Sequence, residues 1–119
     1  MEKIKTICIM RELIKSMAEL EAQLLSRYGV TPNEAMTLCC LGSDTLTASC
    51  ISENVGLSPS NTSKVLSSIE KKGLAIRSMG DIDRRQMRFT LTSKGQQLLH
   101  DMKNEEIDIP EFIRPLFLQ

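Results

Sequence analysis

Leu57-Ser58-Pro59-Ser60-Asn61-Thr62-Ser63-Lys64-Val65-Leu66-Ser67-Ser68-Ile69-Glu70-Lys71-Lys72-Gly73 is the stretch from which the rest of the chain can be read. Ser58 is a capping residue and Pro59 fills the first helical position, so a helix opens there. It runs to about Lys72, and Gly73 stops it. At about 100° per residue, Thr62, Val65, Leu66 and Ile69 gather on one side, which is expected to be buried. Ser60, Lys64, Ser67 and Lys71 lie opposite, flanked by Asn61, Ser63 and Ser68. Serine is a mediocre helix former, and five serines between Ser58 and Ser68 ask for a reason other than helix stability.

Upstream, a short helix is expected from about Ala48 to Val55, closed by Gly56 after the polar loop Ser43-Asp44-Thr45. Thr31-Pro32-Asn33-Glu34 reads as a capping box with Pro at the first position. The helix that it opens carries Ala35, Met36, Leu38, Cys39 and Leu41 and ends at Gly42. Before it, Ile4, Ile7, Met10, Ile14, Met17, Leu20, Leu24 and Tyr28 step by three and four along one helix face. That helix spans roughly 35 Å, longer than a small core needs, so part of its stripe should face a partner chain.

Downstream, Leu74 to Met79 reads as a strand, Gly80 to Arg85 as a charged turn, and Met87 to Leu91 as the returning strand. Thr92 caps a further helix bearing Leu98, Leu99 and Met102. Pro110 starts a last short apolar helix with Phe112, Ile113, Leu116 and Phe117, interrupted by Pro115. The fold class is therefore α+β, mostly α: four helices, a hairpin, then helices.

The formal net charge is zero, but it is unevenly spread. Residues 58–94 hold eight basic and three acidic side chains, net +5, whereas both flanks are acidic. A basic stretch of this kind suits a polyanion. The 119 residues suit one domain, and an apolar share of 41% fills a single core. With aromatics at 3%, that core rests on Leu, Ile, Val and Met. No apolar run is of membrane-spanning length and the N-terminus has no leader-like stretch, so a cytoplasmic location without membrane contact is expected.

Cys8, Cys39, Cys40 and Cys50 show no C-x-x-C spacing and His100 is the single histidine, so no metal or cofactor is expected. The cysteines read as small buried apolar residues, with a thiol switch at an exposed one as the alternative. No catalytic residue is assigned. His100 follows Leu98 and Leu99 on an ordinary helix, Asp81 and Asp83 form a turn pair, and no phosphate loop or nucleophile motif is present, so an enzyme is not expected.

Two short helices joined by Gly56-Leu57-Ser58 and followed by a hairpin with a charged tip make a winged helix-turn-helix. Its second helix is the one that enters a major groove. Ser and Asn can read base edges, and Lys reaches guanine or phosphate, which makes Ser60, Asn61, Ser63, Lys64 and Ser67 candidate contacts. At the tip, Arg85 can enter a narrow minor groove while Asp83 holds its guanidinium. Arg84 and Arg88 are candidate phosphate contacts.

The stretch Leu57 to Leu66 with Ile69 to Leu74, then Asp83-Arg84-Arg85 and Leu91-Thr92-Ser93-Lys94-Gly95, resembles the MarR (multiple antibiotic resistance regulator) family over about residues 10–102. The order and spacing of these motifs carry the resemblance. It implies a homodimer whose first and last helices interleave on a pseudo-palindromic operator of double-stranded DNA. By the same resemblance, Asp83 and Arg85 serve the minor groove, Ser60, Ser63, Lys64 and Ser67 the major groove, and Arg77 the DNA backbone. Many members are repressors released by small phenolic or anionic effectors, and some sense oxidants through a cysteine. The chain departs from the family at Gly80 and Ile82, where an acid and a base are frequent, and in its short tail.

The expected organisation is thus one domain. Residues 31–95 form the winged helix core, and residues 1–29 and 96–119 form a long N-terminal and a short C-terminal set of dimerisation helices. The rival expectation, drawn from the zero net charge and the apolar tail, is a winged-helix module that binds another protein and no DNA.

Overall fold

Hydroxyl side chains open four of the five α-helices among the described residues, which are 4–79, 86–105 and 107–117 of the computed structural model. Thr31 caps α2 (Pro32–Leu41), Thr47 caps α3 (Ala48–Val55), Ser58 caps α4 (Pro59–Lys71) and Thr92 caps α5 (Ser93–Asn104). In each case the side-chain oxygen accepts an N–H that the first helical turn leaves free. The exception is α1 (Lys5–Tyr28), which starts behind Ile4 with no side-chain cap.

The packing divides the chain into two units, one of residues up to 29 and from 106 onward, the other of residues 30–105. In the first, α1 is accompanied by a 3₁₀ helix, Glu111–Phe117, which contains Pro115. Gln23 and Asp108 join them by reciprocal bonds. The Gln23 amide nitrogen donates to the Asp108 carbonyl at 2.6 Å, and the Asp108 N–H donates to the Gln23 side-chain oxygen at 2.9 Å. Ser16 and Ile113 are buried, but Ile4, Ile7, Met10, Ile14 and Met17 are exposed. Leu20, Leu24 and Tyr28, the far end of the predicted stripe, are half-buried.

In the second unit, β1 (Leu46–Thr47), β2 (Ala75–Met79) and β3 (Met87–Leu91) form an antiparallel sheet in the order β1-β3-β2. Leu46 faces Phe89 across one side of β3, and Ala75 faces Leu91 across the other. The core beneath is aliphatic: Val30, Leu38, Leu41, Ile51, Leu66, Ile69, Leu74 and Leu99, with Phe89. The start of α5 presses on the entry to β2. A β-carbon at Gly95 would run into the Leu74 carbonyl, and it would lie 3.3 Å from the Leu91 β-carbon. Only glycine leaves the room for that approach, which is why the Leu91-Thr92-Ser93-Lys94-Gly95 pattern needs its last residue.

The helices and the hairpin strands fall where the sequence predicts them, and the mostly helical fold with a small antiparallel sheet is as expected. Four details differ. Residues 46–47, not predicted as a strand, pair with β3 because a distant partner offers them a ladder. Val65 is half-buried and not part of the core. None of the four cysteines is buried: Cys39 is exposed and the others are half-buried. Finally, α5 lies within the unit of residues 30–105, where the sequence predicts a core ending at residue 95.

Candidate nucleic-acid interface

The turn between α3 and α4 is fixed by its own backbone. Gly56 adopts a left-handed conformation (φ 80°) that a side chain would strain, and its N–H donates to the Ser52 carbonyl at 2.9 Å. The Ser52 hydroxyl donates to the Leu57 carbonyl at 2.6 Å, so the three-residue turn is closed from both sides. Ser58 accepts the Asn61 N–H at 3.1 Å and starts α4 at once. These contacts fix how the second helix leaves the first.

On α4 the two sides separate as the spacing predicts. Thr62, Leu66 and Ile69 are buried. Ser60, Asn61, Ser63, Lys64, Ser67 and Lys71 are exposed. Glu70, the single acidic residue of the helix, does not join that exposed side: it accepts from Arg77 Nε at 2.9 Å and Nη2 at 2.5 Å. The outward face is therefore polar, basic and free of acid over three turns.

Behind α4 lies a buried charge that sequence reasoning assigned only to a cap. Glu34 is 2% exposed, and its carboxylate accepts from the Thr31 N–H at 2.9 Å, completing the predicted capping box. It also accepts from the Ser68 hydroxyl at 2.7 Å and from Lys72 Nζ at 2.8 Å. Burial by itself would raise its pKa. The bonds from Lys72, Thr31 and Ser68 outweigh that and hold the carboxyl below the ordinary value. Ser68 was expected on the flank of the helix, and its half-burial follows from this bond.

Arg77 on β2 is held at the side of the same helix. Its guanidinium donates the two bonds to Glu70 and lies over the Phe89 ring, 5.4 Å from the centroid. The hydrogen bonds it donates to Glu70 keep it charged, raising its pKa above an already high value. Its Nη1 donors are outside these bonds and its side chain is 45% exposed. Arg88 on β3 sits in register with Thr47 and Ser78, half-buried, with its Nε enclosed and lacking a hydrogen-bond partner. The remaining predicted contacts, Asp83, Arg84 and Arg85, lie outside the described residues, as does the rest of the turn from Gly80.

The thiols are not arranged as a metal site: among the described residues no group of three or more His, Cys, Asp or Glu side chains could hold an ion. Cys39 and Cys40 line a cleft with Met36, Asn54 and Val55, and burial pushes the Cys40 thiol up, away from the reactive thiolate. No described helix is long and apolar enough to cross a membrane. His100 is exposed and contacts Asn104 on its own helix.

Two helices about a fixed turn, with a three-stranded sheet against the second, have counterparts among solved structures. The MepR–DNA complex of S. aureus superposes with a TM-score of 0.65 at 24% identity, covering 80% of this chain and 79% of that one. This is a winged helix. The transcriptional regulator BldR from Sulfolobus solfataricus has the same winged helix, with a TM-score of 0.71 at 21% identity over 98% of this chain and 83% of its own. YusO from Bacillus subtilis gives 0.67 at 24% identity over 82% and 70%. No family model and no curated protein matches the chain. Within the winged helix, α3 and α4 are the helix pair and β2 and β3 the strands of the wing.

Proposed function

We propose that the protein is a MarR-type, DNA-binding transcription regulator that acts in the cytoplasm as a homodimer on a pseudo-palindromic operator, and that its effect is repression. The observation that carries this reading is the exposed, acid-free face of α4, with Ser60, Asn61, Ser63, Lys64 and Ser67 outward on a helix whose other side is anchored. Residues 58–72 enter the major groove, where Ser and Asn meet base edges and Lys64 meets guanine or phosphate. Residues 80–86 lie at the minor groove, with Arg85 inserted and Asp83 steadying it. Arg77, through Nη1, together with Arg84 and Arg88, faces phosphates. Support also comes from the likeness to MepR, which has been solved with DNA.

The homodimer rests on α1 and the 3₁₀ helix. Large apolar residues are left in solvent on both, among them Ile7, Ile14, Phe112 and Leu116, and exposed patches of that kind mark interfaces.

Fluorescence polarisation against the protein's own upstream DNA tests the proposal. Tight binding to that duplex, and weak binding to a random one at about 0.15 M salt, is expected. The logarithm of affinity should fall with log salt by about 0.9 for each phosphate neutralised. Equal affinity for the two duplexes would defeat the reading. Arg85→Ala should weaken binding and leave the thermal melt in place.

A further inference from the structure

We infer that Glu34 is a positioning residue for the recognition helix: from behind, its buried carboxylate sets the angle at which α4 presents its outer face. The inference rests on the proposed DNA-binding role and adds to it a residue that touches no DNA. Three observations carry it. First, Glu34 is almost wholly buried, and a buried carboxylate persists as a charge only where donors surround it. Second, two of its donors, Ser68 and Lys72, stand one turn apart at the C-terminal end of α4, the first on Oε2 and the second on Oε1. Two bonds spaced along one helix resist its rotation and its tilt, where a single bond would act as a pivot. Third, the carboxylate is itself fixed, since Oε1 also takes the Thr31 N–H in the capping box at the start of α2.

The other end of α4 needs no such grip, because the Gly56-Leu57-Ser58 turn already fixes it. Between turn and carboxylate, the buried side chains of α4 are Thr62, Leu66 and Ile69, and the Arg77 bonds to Glu70 reach the helix from β2 and not from behind. Apolar packing tolerates small slides, whereas charge-assisted hydrogen bonds are directional. Reading base edges depends on placement, but general attraction to phosphates does not. Loss of the Glu34 grip should therefore lower discrimination between operator and random duplex more than it lowers attraction to DNA as such.

The experiment uses the full chain with Glu34→Gln, Ser68→Ala and, as a control, Thr37→Val. Thr37 is buried on the same helix and its hydroxyl donates within α2, to the Asn33 carbonyl at 2.8 Å, so its loss costs stability without touching α4 through that bond. Each variant is titrated against operator and random duplexes well below its own melting temperature. Glu34→Gln and Ser68→Ala are expected to reduce the operator-to-random ratio by about fivefold to tenfold, the scale of one ordinary hydrogen bond. Thr37→Val should keep the wild-type ratio. Should Glu34→Gln fail to fold, Ser68→Ala leaves the charge pair in place and decides alone. A wild-type ratio retained in both variants overturns the inference while the DNA-binding reading stands. A ratio near one in the unaltered protein overturns both.

Discussion

Helices α1 and α4 are both amphipathic, and they leave opposite kinds of face to solvent. On α4 the apolar side is covered, with Leu66 and Ile69 in the core, and the outer side is serine, asparagine and lysine. On α1 the one fully buried residue is Ser16, while Ile14 is 66% exposed and Ile7 57%. A monomer has no reason to hold such a row of large apolar side chains in water, since each would gain ~1.5–3 kcal/mol on burial. The difference teaches that the two helices offer different surfaces: a polar, basic one on α4 and an apolar one on α1.

The contrast can be broken most forcefully from inside α4. Leu66→Ala should cost ~2–5 kcal/mol, because the cavity cannot close among the neighbouring core residues; chemical denaturation measures it, and a loss near zero would mean that the helix is not anchored as described. Next in size is Ile14→Lys on α1. It should leave the monomer's melt almost unchanged and raise the dimer dissociation constant at least about a hundredfold, since a two-fold interface contains the site twice. Sedimentation equilibrium reads the result, and an unshifted constant would place the partner face elsewhere.

Smaller effects sharpen the comparison. Lys64→Ala, on the outer side of α4, should weaken duplex binding by roughly threefold to tenfold and make the salt slope shallower by about 0.9 for each copy. Its melt should stay within the scatter of the wild type, in contrast to Leu66→Ala two residues away. The smallest effect concerns Glu34. Its folded-state carboxyl lies below the ordinary value of 4.5, so its stabilisation is complete above that value and is lost as pH falls through the lowered one. Melts taken from pH 7 down to pH 3 should show a loss on the acid side that Glu34→Gln reduces, and identical acid limbs would contradict the assignment.

Much of this was legible in the chain. Thr31, Ser58 and Thr92 mark their helix starts, and Gly29, Gly42, Gly56 and Gly73 lie where helices end. The outer face of α4 could be read from its spacing alone, because a helix places residues by number. Arg77 was legible as a basic residue on a strand but not as a partner of Glu70, and Glu34 was legible as a cap but not as the anchor for Ser68 and Lys72. The cysteines misled, since small apolar character predicts burial only on average and Cys39 sits on an outward position of α2.

Everything that the amino-acid order determined by itself is local: caps, stops and face patterns act within one or two turns, and their chemistry is complete in five or six consecutive residues. The tertiary structure decided the pairings across long separations. It gave β1 its place beside β3, brought Ser68 and Lys72 to Glu34 from 34 and 38 residues away, and turned Glu70 from the outer face of α4 to Arg77. Such partners are chosen by the packing of whole elements, and no short stretch of chain contains the information that selects them.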